Sequence, residues 1–462
     1  MRLIKTIVLT GLIASPSLAE DVPAVLVFSH TAGFRHACIE SATRSLQSLG
    51  GDAFTCEFTE DPAEFTPGNL SRFDAVVFQN TTQDVLNDVQ QEAFEAYLRN
   101  GGGYVGIHAA ADTEYEWPFY GTLLGGAWFK THPAVQEATI IVEDLHHPSM
   151  AHLPREWVRT DEWYEYRANP RAHVHVLASL DESTYDVAEG MGDHPIAWTV
   201  PVGKGVAFYT GGGHTEESFE EPGFREHLRQ GILWAMNDGW IELIPETGKR
   251  GWRGAEKWAK VTDVKLDVDN PVGIQSTPAG DEEPAGLIVN QNGASSLMTD
   301  TEFGDIELHV EFMIPKGGNS GVYLQERYEL QILDSWGKSN PSSGDCGGVY
   351  QRWDPSRKPE GYEGHPPLVN ASRKPGHWQS YDIVFRAPRF DDSGMKIANA
   401  RFDEVYLNGI LVQKDIELTG PTRGGREGPE AAMAPIMFQG DHGPVAYRNI
   451  RVRRIGPSES AE

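Results

Sequence analysis

The residues best able to do chemistry in the first half of the chain are histidines placed near expected strand ends. His30 follows the apolar run Ala24–Phe28, His108 closes Gly103–His108, and His214 follows Val206–Tyr209 and a run of glycines. His132 and His194 lie in the loop segments Lys130-Thr-His-Pro133 and Asp193-His-Pro-Ile-Ala-Trp198, and Asp161-Glu162 lies in the polar-aromatic run Thr160–Tyr166. Imidazoles and carboxylates converging from separate loops are what a divalent metal or an acid–base site needs. One such histidine is usually a surface or hydrogen-bonding residue, whereas several at strand ends predict a site. Gly106-Ile-His-Ala-Ala110 has the form of the strand-to-helix elbow on which α/β enzymes hold a nucleophile. Histidine takes that position here, so acyl-enzyme chemistry loses its main support.

The second half offers a different chemistry. Gly317–Trp336 mixes Tyr, Glu, Gln, Asn and Trp, the aromatic rings and planar polar groups that suit sugar faces and hydroxyls. In a strand, Glu329, Gln331 and Leu333 share one face while Leu330, Ile332 and Asp334 share the other, so one side is packed and one wet. A plain solvated face would more often carry Lys, Thr or Ser. Glu326 and Glu329 stand three apart and face opposite sides, unlike the closely alternating acids of a conventional sandwich glycosidase.

Two kinds of element must position these groups. From Val22 to about Trp240, short continuous apolar runs such as Ala24–Phe28 and Asp74–Gln79 alternate with amphipathic helical stretches. This predicts a mostly parallel, doubly wound sheet, which binds ligands beyond the carboxyl ends of its strands. Residues 241–283 are rich in proline and acids and are assigned as a linker with lead-in strands. From 284 to 456 the period becomes two, as in Asp305–Phe312 and Tyr447–Arg453, which predicts an antiparallel β-sandwich.

Val25–His36, Gly101–His108, Asp161-Glu162-Trp-Tyr, His194–Trp198 and Phe208–His214 together resemble the trehalose-utilisation (ThuA-like) family over residues 22–240. The resemblance implies a class I glutamine-amidotransferase-like (flavodoxin-like) fold without the amidotransferase cysteine, and involvement with 3-keto derivatives of disaccharides. It carries His30, His36, His108, Asp161, Glu162, His194 and His214 as the site set without saying which would ligate a metal. His30, His36, Asp161, Glu162, His194 and His214 are taken here as candidate ligands of a divalent metal ion, and His108 as a candidate catalytic residue. Gly318–Trp336, Asp345–Tyr350, Trp378–Asp382, Phe385–Phe390 and Phe438–Ile450 resemble the 3-keto-disaccharide hydrolase domain, a concanavalin-like jelly roll. Within those motifs Glu329, Asp334, Asp441 and His442 are candidate catalytic residues, and Asn319, Tyr323, Gln331, Trp336 and Arg448 candidate binders of a sugar. Residues 252–275 resemble the opening of that family only loosely.

The implied reaction is cleavage of a 3-keto-glycoside by metal-assisted proton abstraction at C2, β-elimination and hydration. Two other readings stand beside it: a carbohydrate-binding module attached to a ThuA-like enzyme, and a conventional glycoside hydrolase acting on unoxidised sugars. Ser29–Gly33 lacks the GxGxxG spacing, so the oxidation itself falls to a separate sugar dehydrogenase. A net charge of −28 argues against nucleic acid and anionic membranes as partners. Arg2 and Lys5, the short apolar run Ile7–Ile13 and Ser17-Leu18-Ala19 read as a signal peptide over residues 1–19, too short to span a bilayer, and predict a periplasmic or secreted protein. Cys38, Cys56 and Cys346 are too few for a disulfide scaffold, and the sequence leaves a Cys38–Cys56 bond open.

Overall fold

The structure, a computed structural model, describes residues 22–244, 251–280, 286–290 and 294–456. The expected signal peptide lies outside the described residues. Among the described residues, no helix is long and apolar enough to cross a membrane.

The first domain is an α/β layer structure around a nine-stranded sheet. Its strands are β1 (Ala24–Phe28), β2 (Thr55–Thr59), β3 (Ala75–Gln79), β4 (Gly103–Ile107), β5 (Gln136–Val142), β6 (Glu156–Asp161), β7 (His175–Leu180), β8 (His194–Val202) and β9 (Gly205–Thr210). Their order is β2-β1-β3-β4-β9-β8-β7-β5-β6. The first five in that order pair in parallel, and β1, β3, β4 and β9 are the apolar runs whose residues are almost all buried. Helices α1 (Ile39–Leu49) and α2 (Asp88–Arg99) lie in the β1–β2 and β3–β4 crossovers, α3 (Pro222–Met236) follows the last strand and packs on the sheet, and α2 begins with a capping box between Asn87 and Gln90. The remaining four strands extend the sheet in antiparallel fashion. The expectation of a mostly parallel sheet therefore holds for one half only. A parallel return needs a crossover of a dozen or more residues, and the connections among β5 to β9 contain no long helix.

The second domain is a sandwich. Its larger sheet runs β11 (Ile274–Pro278), β10 (Trp258–Leu266), β12 (Leu287–Asn290), β19 (Ala446–Arg454), β13 (Ile306–Met313), β16 (Gln379–Arg386), β17 (Ala400–Leu407) and β18 (Ile410–Leu418), with Ile241–Glu242 also paired to β19. Of the lead-in strands in residues 241–283, Ile241–Glu242, β10 and β11 belong to this sheet. A five-stranded sheet lies against it, formed by Trp252–Arg253, Leu297–Thr299, Met437–Phe438, β14 (Asn319–Leu324) and β15 (Tyr328–Leu333). Between the sheets Phe438 packs on Tyr447 and Tyr328 on Phe385, and Ser320 meets the Tyr447 hydroxyl at 2.8 Å. Strict alternation on β13 and β16 buries every second residue, as the period-two pattern requires. Cys38 and Cys56 are both free, so no disulfide joins them.

Candidate functional site

Four side chains of the α/β domain converge beyond the carboxyl ends of the parallel strands: His36, His108, Glu162 and His214. One ligand atom from each lies within 4.8 Å of the others. His108 follows β4 directly and takes a φ of +47°, a left-handed conformation uncommon outside glycine. That backbone kink lifts the imidazole out of the strand direction, as an elbow does. Its Nδ1 donates to the Gly211 carbonyl at 2.8 Å, which turns Nε2 toward the cluster. His214 follows β9 through Gly211–Gly213. Gly213 has φ of +107°, and a Cβ on Gly212 would lie 2.5 Å from the Arg159 guanidinium, so both positions require glycine.

Glu162 binds the set together. Its Oε2 lies 3.0 Å from His214 Nδ1 and 3.4 Å from His108 Nε2, while its Oε1 lies 3.1 Å from Nδ1 of the half-exposed His132. His214 Nδ1 and His108 Nε2 are 3.3 Å apart. A tetrahedral ion with ligands at about 2.1 Å separates its donor atoms by about 3.4 Å, so these spacings fit a metal. His36 completes the set: its Nδ1 is buried without a hydrogen-bond partner, and Tyr164 Oη lies 3.5 Å from its Nε2. Burial, then repulsion from His108 and His214, push the His36 pKa down to about 3, so the ring is neutral and able to ligate. Burial would raise Glu162, but hydrogen bonds from His108 and His214 hold it far below the usual carboxylate range. Burial opposes the charged form of His214, but the hydrogen bond and charge of Glu162 raise its pKa, so metal binding there would displace a proton. Three imidazoles and a carboxylate can hold a metal ion.

The face of the smaller sheet turned from the larger one carries the other candidate set; the sequence predicts this face to be wet, but loops cover it and β14 and β15 are buried on both sides. Tyr323 on β14 pairs directly with Glu329 on β15, and Gly321 with Gln331, so these four share the face turned away from the larger sheet. Glu329 is 2 % exposed, and burial, reinforced by the charge of Asp441 and opposed by the Tyr323 hydroxyl, pushes its pKa up to about 8. Gln331 Oε1 and Asn319 Oδ1 are buried acceptors without partners, available to sugar hydroxyls. His442 Nδ1 donates to Asp441 Oδ1 at 2.6 Å, an exposed couple on the loop that follows Met437–Phe438.

Residues 24–235 match the family model described as trehalose utilisation (ThuA), and residues 239–453 the model described as a 3-keto-alpha-glucoside-1,2-lyase-like domain. The chain is a ThuA-like domain fused to a 3-keto-disaccharide hydrolase-like domain.

No curated protein is significantly similar to the chain. Among solved structures, a protein of Bacteroides uniformis provisionally assigned as ThuA-like is 26% identical, with a TM-score of 0.41, over 48% of this chain and 95% of its own. A Parabacteroides distasonis protein provisionally assigned as a glycosyl hydrolase is 24% identical, with a TM-score of 0.33, over 46% of this chain and 82% of its own. A ThuA-like protein of Parabacteroides merdae, likewise provisional, is 22% identical, with a TM-score of 0.40, over 46% and 90%.

In the ThuA-like domain, His36, Glu162 and His214 meet at one point with His108, which the sequence had suggested as catalytic rather than as a ligand. Three expected metal ligands stand elsewhere. Asp161, next to Glu162, turns the other way: it accepts the backbone N–H groups of Gly213 (2.7 Å) and His214 (3.0 Å), the Ser218 hydroxyl and Arg159. It anchors the His214 loop instead of offering a free oxygen. His194 spends both ring nitrogens, one on Glu182 and Tyr185 and one on the Tyr164 carbonyl. His30 stacks on Phe28 at 6.1 Å, outside the four-residue cluster. Two contributors stand outside the ligand set expected from the sequence: His132, noted there as a loop histidine, and Tyr164, which lies inside the Asp-Glu-Trp-Tyr motif that carried Glu162.

In the keto-disaccharide hydrolase-like domain, Glu329, Gln331, Tyr323 and Asn319 assemble with Asp441–His442 nearby. Asp334 is spent on the Gly317 N–H at 2.9 Å, closing a turn. Arg448 pairs with Glu311 at 2.7 Å and covers Trp378. It neighbours the inward-facing Tyr447 on β19 and so points to the outer side of the larger sheet, away from Glu329. Trp336 lies beyond β15 and is exposed, with Lys374 over its ring at 6.0 Å. Glu326 occupies the β14–β15 turn, with φ of +59°, and pairs with Arg426 at 2.9 Å.

Proposed function

We propose that this protein is an exported enzyme that cleaves 3-keto-glycosides. The observation that carries the reading is the outer face of the smaller sheet, where a buried, uncharged carboxyl lies among unpaired amide acceptors in a domain of the 3-keto-alpha-glucoside-1,2-lyase-like family. A ketone at C3 acidifies the C2 hydrogen. A base removes it, the C1 oxygen departs by β-elimination, and water adds back to the unsaturated sugar, so the two steps sum to hydrolysis. The Asp441–His442 couple supplies a carboxylate-oriented imidazole for the proton abstraction. Gln331 and Asn319 accept hydrogen bonds from sugar hydroxyls.

The histidine centre is read as a site for a divalent first-row transition ion, because a set of three nitrogens and one oxygen suits such ions better than calcium or magnesium. Such an ion, when bound, polarises a carbonyl or hydroxyl oxygen. His36, His108, Glu162 and His214 would hold it, Asp161 orients His214, and His132 faces Glu162 from the open side. In this reading the oxidised substrate comes from a separate sugar dehydrogenase, and the basic and short apolar start of the sequence supports work outside the cytoplasm.

A conventional glycoside hydrolase would need a second carboxylate facing Glu329. Asp441 is the acid whose charge acts on it, which keeps that reading in play. Rates on a glucoside and on its 3-keto analogue separate the two. Turnover of the keto compound alone is expected, and equal rates on both would overturn the proposal. Loss of sugar turnover with sugar affinity intact in both native and Glu329→Gln protein would favour a binding module.

A further inference from the structure

The cross-strand ladder of β14 and β15 leaves a gap that one side chain fills. A Cβ added at Gly321 would lie 2.6 Å from Glu329 Oε1, too close for both to keep their places, and 3.1 Å from its Cγ, a tight contact. Gly321 is therefore the floor on which the Glu329 carboxyl rests, and any side chain there would displace it. Beside it stand Tyr323, whose ring comes within 3.1 Å of the same point, and Asp441; Tyr447 acts from the interior. None of these is a cation. Backbone bonds pin the strand on both sides, from Glu329 N–H to Thr422 Oγ1 at 3.1 Å and from Tyr350 N–H to the Glu329 carbonyl at 3.0 Å.

A carboxyl held in a dry cradle, with an acid for a neighbour and no positive partner, keeps its proton at neutral pH. Such a group cannot begin by taking a proton from carbon. It can give one. We infer that Glu329 is the proton donor to the departing C1 oxygen, and that Gly321 is the positioning residue that lets it reach.

The step balances without any further reactant. The base takes the proton from C2, and the C2–H electron pair becomes the C1–C2 double bond. The C1–O bond breaks with its pair going to oxygen, and that oxygen takes the Glu329 proton. Glu329 is left as a carboxylate and recovers its proton from water. This assignment rests on the 3-keto-glycoside reading and deepens it, for it also predicts which substrates depend on Glu329. An alkoxide leaves poorly unless protonated, whereas a nitrophenolate leaves unaided. The chemical class that needs this residue is accordingly the sugar–sugar or sugar–alkyl linkage.

The test uses the full-length protein and a series of 3-keto-glucosides whose aglycones run from 4-nitrophenol to methanol. Glu329→Gln is expected to cut kcat/KM for the nitrophenyl compound by less than about tenfold and for the methyl compound by about 10³-fold, within the usual range for general-acid catalysis. Gly321→Ala, which displaces the carboxyl without removing it, should steepen the dependence on leaving-group pKa in the same direction by a smaller amount. Equal losses across the series in Glu329→Gln would overturn the inference and make Glu329 a base or a structural residue. An unchanged slope in folded Gly321→Ala would overturn the positioning role. If the native protein cleaves plain glucosides as fast, the keto reading fails and the same aglycone series on those compounds decides the role of Glu329. No turnover of either class would overturn both.

Discussion

The Thr301 hydroxyl, in the sandwich, donates to the Asp144 carboxylate, in the α/β domain, at 2.7 Å. Asp144 is buried and also accepts from the backbone N–H groups of His146 and His147 and from His175 Nε2 at 2.7 Å. From the sandwich, Arg454 reaches within 3.2 Å of the same His175 nitrogen and donates to the Glu302 carbonyl. One buried anion therefore ties the two domains, each side supplying donors.

Removing that anion should uncouple them. Breaking a buried charged network by deleting one partner typically costs about 3–5 kcal/mol. Asp144→Ala is expected to lower the melting temperature and to split one calorimetric transition into two; a single, unshifted transition would show that the domains are not coupled through Asp144. Acid should act in the same direction. Burial opposes ionisation of Asp144, but hydrogen bonding and charge from His175 hold its pKa well below the usual 3.8. The stability it contributes is present above that unfolded value and is lost as pH falls toward the folded one.

Metal content offers a prediction independent of any substrate. The purified protein should bind one divalent transition ion per chain, measured by elemental analysis after dialysis. His36→Ala and His214→Ala should each lose it, while His30→Ala and His194→Ala should not lose a ligand. Ion at a hundredfold excess over Kd should stabilise the fold by about 2.7 kcal/mol, so chelation should lower the melting temperature visibly. Full metal occupancy in His214→Ala would remove His214 from the ligand set.

The raised pKa of Glu329, about 8 in the fold against an ordinary 4.5, fixes two pH effects. Between those values the unfolded chain ionises Glu329 and the native state does not. Its contribution to stability is thus full below about 4.5 and is lost as pH rises through about 8. Activity that needs the proton should fall on the alkaline side near pH 8, and the limb should vanish in Glu329→Gln. A pH–rate profile on a 3-keto alkyl glucoside checks the second effect, and thermal melts of the two proteins across the same range check the first.

Gln331 offers the cleanest binding test. Its free Oε1 has no protein partner to lose. Gln331→Ala should weaken sugar binding by about 1 kcal/mol, roughly fivefold in KM, with a smaller change in kcat. Arg448→Ala, on the outer side of the sheet, should leave KM unchanged. The reverse pattern would move the substrate to the larger sheet.

The fold class was legible because burial leaves a period in the sequence. Continuous apolar runs at β1, β3, β4 and β9 marked strands covered on both faces, and alternation at β13 and β16 marked strands covered on one. The placement of His108 and His214 at strand ends followed from the same runs, as did the shared face of Glu329 and Gln331. The antiparallel half of the first sheet was not legible, because pairing direction depends on what the chain does between strands.

By itself, then, the sequence determined two domains, their classes, and the residue types that could meet beyond the parallel strands and on one sandwich face, but not that this face is buried. Only the tertiary structure decided which of them meet. Asp161 and Glu162 are neighbours of like charge, yet successive residues of an extended chain point opposite ways, so one anchors a loop and the other faces three imidazoles. Arg448 and Tyr447 part for the same reason. The state of Glu329 lay further still from the sequence, since it depends on the space left by Gly321 and on there being, among the described residues, no cation that lowers its pKa, and packing alone sets both.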